Sequence, residues 1–301
     1  MMAVIAVTGP YLVQQAINAL SLGSTYALLA LGLAMLFSIM GLINFAHGEL
    51  LVIGGYVMWA LLEHGVPWPA VIPLTLLAPA LAAIAMERIA FRPLRGASLV
   101  TLLIASFAVS LLLQTVFQIF AGTDKGIELP SWVDDVVDVG PYTISVLKIV
   151  MTGVTLLTLL LLTLFLKRTL LGIAMRAAAE DFEVTRLMGV RANAVVIAAF
   201  ALSGLLAGLA SLFYFTQSGS VGPFDGTEPV VKAFIAVVIG GLGSLTGAVV
   251  GGFALGITEV VLDAALPAGA QPFGTAFALL VVIAILLLRP QGLVGRPVGL
   301  T

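Results

Sequence analysis

Three short constellations in the 301-residue sequence carry side chains able to do chemistry, and each is set among apolar runs. The first is Asn44-Phe45-Ala46-His47-Gly48-Glu49, with the hydroxyls of Thr25 and Tyr26 upstream. An amide, an imidazole and a carboxylate beside hydrocarbon are costly, so they should face a bundle interior, an interface or a water-filled path. There Glu49 can meet the ammonium group of a zwitterion or pair with His47, while Asn44, Thr25 and Tyr26 offer neutral hydrogen bonds. A structural reading stands beside this one. If the turn lies at the membrane edge, Asn44 and Glu49 cap helix ends and hold no solute.

The second constellation is the polar interruption 172–189, which runs from Gly172 to Gly189 through Arg176, Ala178, Glu180, Asp181, Phe182, Glu183, Arg186 and Leu187. Helix formers dominate it, Arg176 and Glu180 are spaced for an ion pair, as are Glu183 and Arg186, and Gly189 is a natural stop. A short helix outside the hydrocarbon is expected, built either to enter a groove on another protein or to rest on lipid head groups. The third lies between Pro229 and Leu262, a stretch too long for one span and too short for two comfortable ones. Its middle, Gly240-Gly241-Leu242-Gly243-Ser244, predicts a bend between two short helices that faces protein or a watery cavity. Gly243, Gly247 and Gly251 are spaced to lie on one helix face, where close helix packing is a sufficient explanation and solute contact the sharper one. Asp225, Glu228 and Lys232 lie beside the external end of this stretch, where guiding solute entry is one reading and a salt-bridged loop the favoured one.

Much chemistry is missing. The sequence has no cysteine, and its two histidines stand in unrelated contexts, so neither thiolate chemistry nor a zinc site is expected. No Gly-x-x-x-x-Gly-Lys-Ser/Thr loop holds nucleotide phosphates, and no Gly-x-Ser-x-Gly nucleophile turn occurs. The chain is therefore not expected to be an enzyme.

The elements that position these residues are membrane helices. The hydrophobic set makes up 61% of the sequence and charged residues only 9%, far below the roughly 25% of soluble domains. Mean hydropathy of +1.19 extends over the whole length and leaves no room for a separate soluble domain, so 1–301 reads as one all-α membrane domain. The net charge of −2 gives no reason to expect nucleic acid as a partner. Apolar runs predict two spans within 11–62, then spans over 69–89, 98–121, 144–166, 194–215, a broken pair over 229–262, and 273–288. This is a polytopic helical bundle of eight to nine segments.

Sidedness follows from the bases. Arg88, Arg92 and Arg95 share one loop, Lys167, Arg168, Arg176, Arg186 and Arg191 another, and Arg289 and Arg296 mark the tail, so these regions are expected in the cytoplasm. The connection 122–142 carries Asp124, Glu128, Asp134, Asp135 and Asp138 against Lys125 alone and is expected outside. Parity then places the N-terminus outside and the 44–49 turn near the cytoplasmic edge. Met1–Val13 lacks the basic region of a signal peptide and is expected to remain uncleaved.

Several ordered motifs together resemble the permeases of branched-chain amino acid ABC transporters, and most closely the shorter of the two sister permeases. They are Gly23-Ser24-Thr25-Tyr26-Ala27-Leu28, the run 41–49, Glu87-Arg88 with Arg92-Pro93-Leu94-Arg95, Arg176-Ala177-Ala178-Ala179-Glu180-Asp181 with Leu187-Met188-Gly189-Val190, Gly240–Ser244, and Arg289-Pro290-Gln291-Gly292-Leu293. The resemblance implies a type II importer-like permease in a bacterial plasma membrane, paired with a sister permease. It further implies two cytoplasmic ATPase subunits, which would bind ATP and Mg, and an external solute-binding protein. Residues 172–189 would be the coupling helix, with Phe182 its anchor, and the loop 122–142 with Trp132 would receive the binding protein. Alternating access would then move the solute unchanged. Two other readings of the residues are an ion-coupled secondary transporter using Glu49, His47 or Glu259, and a passive channel for a small neutral solute such as urea.

Overall fold

The computed structural model describes residues 9–139, 142–267, 269–270, 274–289 and 291–294. Pro290 and Arg296, named above, lie outside the described residues, as does the stretch 1–8. Eleven α-helices are described: α1 Gly9–Met40, α2 His47–Glu63, α3 Trp68–Met86, α4 Leu99–Phe120, α5 Val146–Arg168, α6 Leu170–Glu180, α7 Phe182–Leu187, α8 Ala192–Ser218, α9 Thr227–Gly240, α10 Leu245–Ala265 and α11 Gly274–Leu288. Six segments are long and apolar enough to cross a membrane, carried by α1, α3, α4, α5, α8 and α10. The remaining expected segments correspond to α2, α9 and α11, at 17, 14 and 15 residues. At 1.5 Å per residue α2 and α9 reach only about 25 and 21 Å, short of a ~30 Å core.

The basic loops gather at one end. Arg95 is paired with the buried Glu87, which sits in a π-turn at Glu87–Phe91 closing α3, and Arg95 also bonds Asn193 at the start of α8. The opposite end carries the acidic loop. There β1 Lys125–Gly126 pairs antiparallel with β4 Ser220–Val221, and β2 Val136–Val139 forms a hairpin with β3 Tyr142–Ser145. Trp132 meets Trp68 edge-on beneath this loop.

Two long helices organise the bundle, and each is followed by a chain break and a short helix. α1 runs toward the basic end, Gly41 turns the chain at φ +65°, and 41–46 re-enters the bundle before α2 sets out toward the acidic end. α8 runs the other way, Gly219 turns the chain at φ +69°, and 220–226 re-enters before α9 heads for the basic end. The packing respects this inverted relation. α1 lies along α10, where a Cβ on Gly252 would stand 2.5 Å from Ala27 Cα, and α8 lies along α3, where one on Gly204 would stand 2.6 Å from Ala80 Cα. Such small-residue contacts are how helices associate when lipid removes the hydrophobic drive.

Backbone polar groups at the breaks must be satisfied within the protein. Ser106 of α4 serves the first break, accepting from Phe45 N–H at 3.3 Å and donating to the Ile43 carbonyl at 3.2 Å. The second break is served by the acidic loop, through the β1–β4 pairing and the Ile127 N–H to Gly219 carbonyl bond of 2.8 Å.

The Gly240–Ser244 bend joins α9 to α10 at the basic end, level with the end of α1, because Ser38 Oγ donates to the Gly243 carbonyl at 3.1 Å. The expected pair of short helices is thus one short and one full-length helix. Gly243 sits in the turn at φ +83° and off the α10 face that holds Gly247 and Gly251, both of which pack on α9. The 172–189 segment, expected as one helix, is two. Asp181 is extended and caps α7 by accepting from Val184 N–H at 2.9 Å, which fixes the corner.

Candidate functional site in the membrane interior

The two breaks bring the first turns of α2 and α9 together near mid-bundle. A Cβ on Gly48 would collide with the Gly226 carbonyl oxygen, and one on Gly226 with that of Gly48, so the two backbones touch without intervening side chains. Depth follows from the neighbours. Ser203 of α8, Ser110 and Gln114 of α4, Tyr26 of α1 and Glu259 of α10 lie roughly 16 to 22 Å along their helices from the basic end. The 44–49 turn, expected near the cytoplasmic edge, is therefore deep in the bundle, carried there by the non-helical re-entry of 41–46.

Around this junction stand the polar residues. Glu49 is 1% exposed, and its Oε1 accepts from Ser110 Oγ at 2.9 Å and Gln114 Nε2 at 2.8 Å. Gln114 Nε2 also reaches Thr227 Oγ1 at 3.3 Å and so ties α2, α4 and α9 together. His47 does not pair with Glu49. Its Nδ1 lies 3.2 Å from Ser203 Oγ, and its ring covers Gly32. Asn44 is buried beside the Met86 sulfur, 3.7 Å away. Thr25 is buried, and its hydroxyl has no hydrogen-bond partner among the described residues.

A second group, which the sequence did not connect, joins α1, α9 and α10. Tyr26 Oη donates to Glu259 Oε2 at 2.6 Å, and Lys232 Nζ donates to Tyr26 Oη at 3.0 Å. Lys232 also lies 3.2 Å from Glu259 Oε1 and 2.8 Å from Glu228 Oε1. The expected loop salt bridge is thus an i,i+4 pair on α9 with an interior partner. The signal available in the sequence was Glu259 itself, the one acid in an otherwise apolar run from Leu245 to Leu262. Gly240, Gly241, Gly243 and Ser244 are not part of this junction, since α9 separates them from Thr227 by about 20 Å.

No group of three His, Asp or Glu side chains that could hold a metal occurs among the described residues. The arrangement has no paired nucleophile and base. What it offers is charge and hydrogen bonding at membrane depth, with helix termini beside a broken backbone.

At the basic end, α6 and α7 form an elbow. Met175 and Ala178 are buried against the bundle, and Arg176 Nε donates to the Leu166 carbonyl at 2.9 Å. Phe182 packs half-buried on the chain's own core, while Leu187 is 86% and Met188 80% exposed beyond it. Glu180, Asp181 and Gly189 lie on the exposed side of the elbow.

Comparison with known proteins agrees with this architecture. Residues 15–288 match the family model described as the permease component of branched-chain amino acid transport systems. The chain is 37% identical to the high-affinity branched-chain amino acid transport system permease protein BraD of Pseudomonas aeruginosa, over 94% of this chain and 96% of that one. It is 35% identical to the corresponding LivH protein of Escherichia coli strain K12, over 95% and 96%. A probable branched-chain amino acid transport permease protein LivH of Methanocaldococcus jannaschii is 31% identical over 89% and 88%. No solved structure matches the chain. The chain belongs to the family of permease components of branched-chain amino acid transport systems.

Proposed function

We propose that this chain forms half of the translocation pore of an ATP-driven importer for branched-chain or other small amino acids. A sister permease completes the pore, two cytoplasmic ATPase subunits bind ATP and Mg, and an external binding protein delivers the solute. The chain itself catalyses no reaction. It lies in a plasma membrane with the N-terminus and the 122–142 loop outside and the α6–α7 elbow and C-terminus in the cytoplasm. ATPase closure moves the elbow, and the two permeases exchange an outward opening for an inward one.

The observation that carries this reading is the elbow. Its α6 arm is anchored in the bundle, and its α7 arm presents Val184, Leu187 and Met188 to the outside among charged residues. Apolar side chains this exposed at a helix end fit a groove on a partner protein. Because Phe182 is occupied by its own chain, Leu187 and Met188 are the sharper targets. In the reconstituted transporter, Leu187→Glu with Met188→Glu should lower amino-acid uptake about tenfold or more and release the ATPase subunits, with the amount of inserted permease unchanged. Wild-type uptake and intact ATPase association in that variant would reject the coupling role.

A further inference from the structure

Charge at the centre of the bundle does not balance. Glu228, Lys232 and Glu259 form one connected group in which a single ammonium faces two carboxylates, with separations of 2.8 and 3.2 Å. One negative charge is left over. Lys232 and Glu259 are largely enclosed, with side chains 13% and 11% exposed, whereas Glu228 is 64% exposed, so the surplus is presented at Glu228. A second carboxylate stands behind it. Glu49 is enclosed and its Oε2 has no hydrogen-bond partner, while its Oε1 connects through Gln114 to Thr227, the residue preceding Glu228.

An open carboxylate at this depth cannot face lipid tails. The surface around it is correspondingly mixed. Thr227 is exposed beside Glu228, and Phe224 and Val231 are exposed on either side. Polar groups converge at one point and apolar ones flank it. A solute that matches this pattern carries an ammonium group and a small apolar side chain.

We propose that Glu228 and the Thr227 hydroxyl form the ammonium-binding half of a solute subsite at mid-membrane, with Phe224 and Val231 receiving the apolar side chain of an amino acid. This rests on the importer reading above and narrows it to one face of one half-helix. The solute's ammonium offsets the surplus charge, which Lys232 alone leaves unmatched. Anions are repelled by the unmatched Glu228 carboxylate, and neutral amides gain only a hydrogen bond.

The test uses the whole transporter, with both permeases, ATPases and binding protein, in liposomes and with leucine as the probe. Leucine moved per ATP hydrolysed should fall about tenfold or more in Glu228→Gln, while Glu228→Asp keeps it within about threefold of wild type. Recovery of the assembled complex should match wild type in both variants, since the side chain is largely open. Unchanged leucine per ATP in Glu228→Gln overturns the subsite. Loss of the sister permease from the purified complex overturns it too, by assigning Glu228 to a subunit contact. So does a sodium requirement that disappears in Glu228→Gln, which would assign the surplus charge to an inorganic cation. A wild-type complex that accumulates no amino acid rejects the importer reading itself.

Discussion

The first break encloses its carboxylate and the second opens one to the outside. At Glu49 two donors from α4 close around a side chain that is 1% exposed. At Glu228 the partner is a lysine on the same helix, and most of the side chain remains open. The two halves share a plan of long helix, break and short helix. They differ in what seals the break, a serine of α4 in one case and a strand of the acidic loop in the other. A membrane carboxylate enclosed by donors from a neighbouring helix holds structure, while one with open faces is free to meet a solute.

The comparison can be broken most severely at the junction itself. Gly48→Val would drive two methyl groups into the Gly226 carbonyl, and neither backbone has a side chain to move aside. Folded, detergent-extractable protein should be lost, as measured by size-exclusion yield; normal yield would deny the backbone contact. A smaller effect is expected at the interior ion pair. Lys232→Met strands Glu259, at a cost of about 3–5 kcal/mol, and should lower thermal stability sharply. Lys232→Met combined with Glu259→Gln should recover most of that loss, and absence of recovery would mean the pair matters for something other than its charge balance. The smallest change belongs to the enclosed carboxylate. Glu49→Ala leaves Ser110 and Gln114 partly served by each other, at 3.3 Å, so a loss of about 1–3 kcal/mol in unfolding stability is expected. If Glu49→Ala proved more damaging than Lys232→Met, the contrast between the two halves would be reversed.

Much of the architecture was legible in the apolar runs, because hydrocarbon admits few alternatives to helices of about 20 residues. The basic and acidic loops also separated to opposite ends as their charges predict. Depth was not legible at 44–49. A polar turn between two apolar runs looks the same whether it lies at the surface or is carried inward by a few non-helical residues, and only the side chains it meets, Ser203 and Ser106, decide. The partner of Lys232 was hidden for a related reason. Glu228 is its neighbour at helical spacing, whereas Glu259 becomes one only when α10 folds back along α9. The corner in 172–189 was written in Asp181, whose capping of α7 outweighed the helix propensity on both sides.

Gly48 and Gly226 have a mechanical consequence. Where side chains interdigitate, shifting one helix against another means disengaging groups that occupy each other's spaces. Where these two half-helices abut, main chain meets main chain with Val230 and Val52 at its margins, so any shift of α9 against α2 pivots on backbone and is limited by those two side chains and by the Gln114 bridge between Glu49 and Thr227.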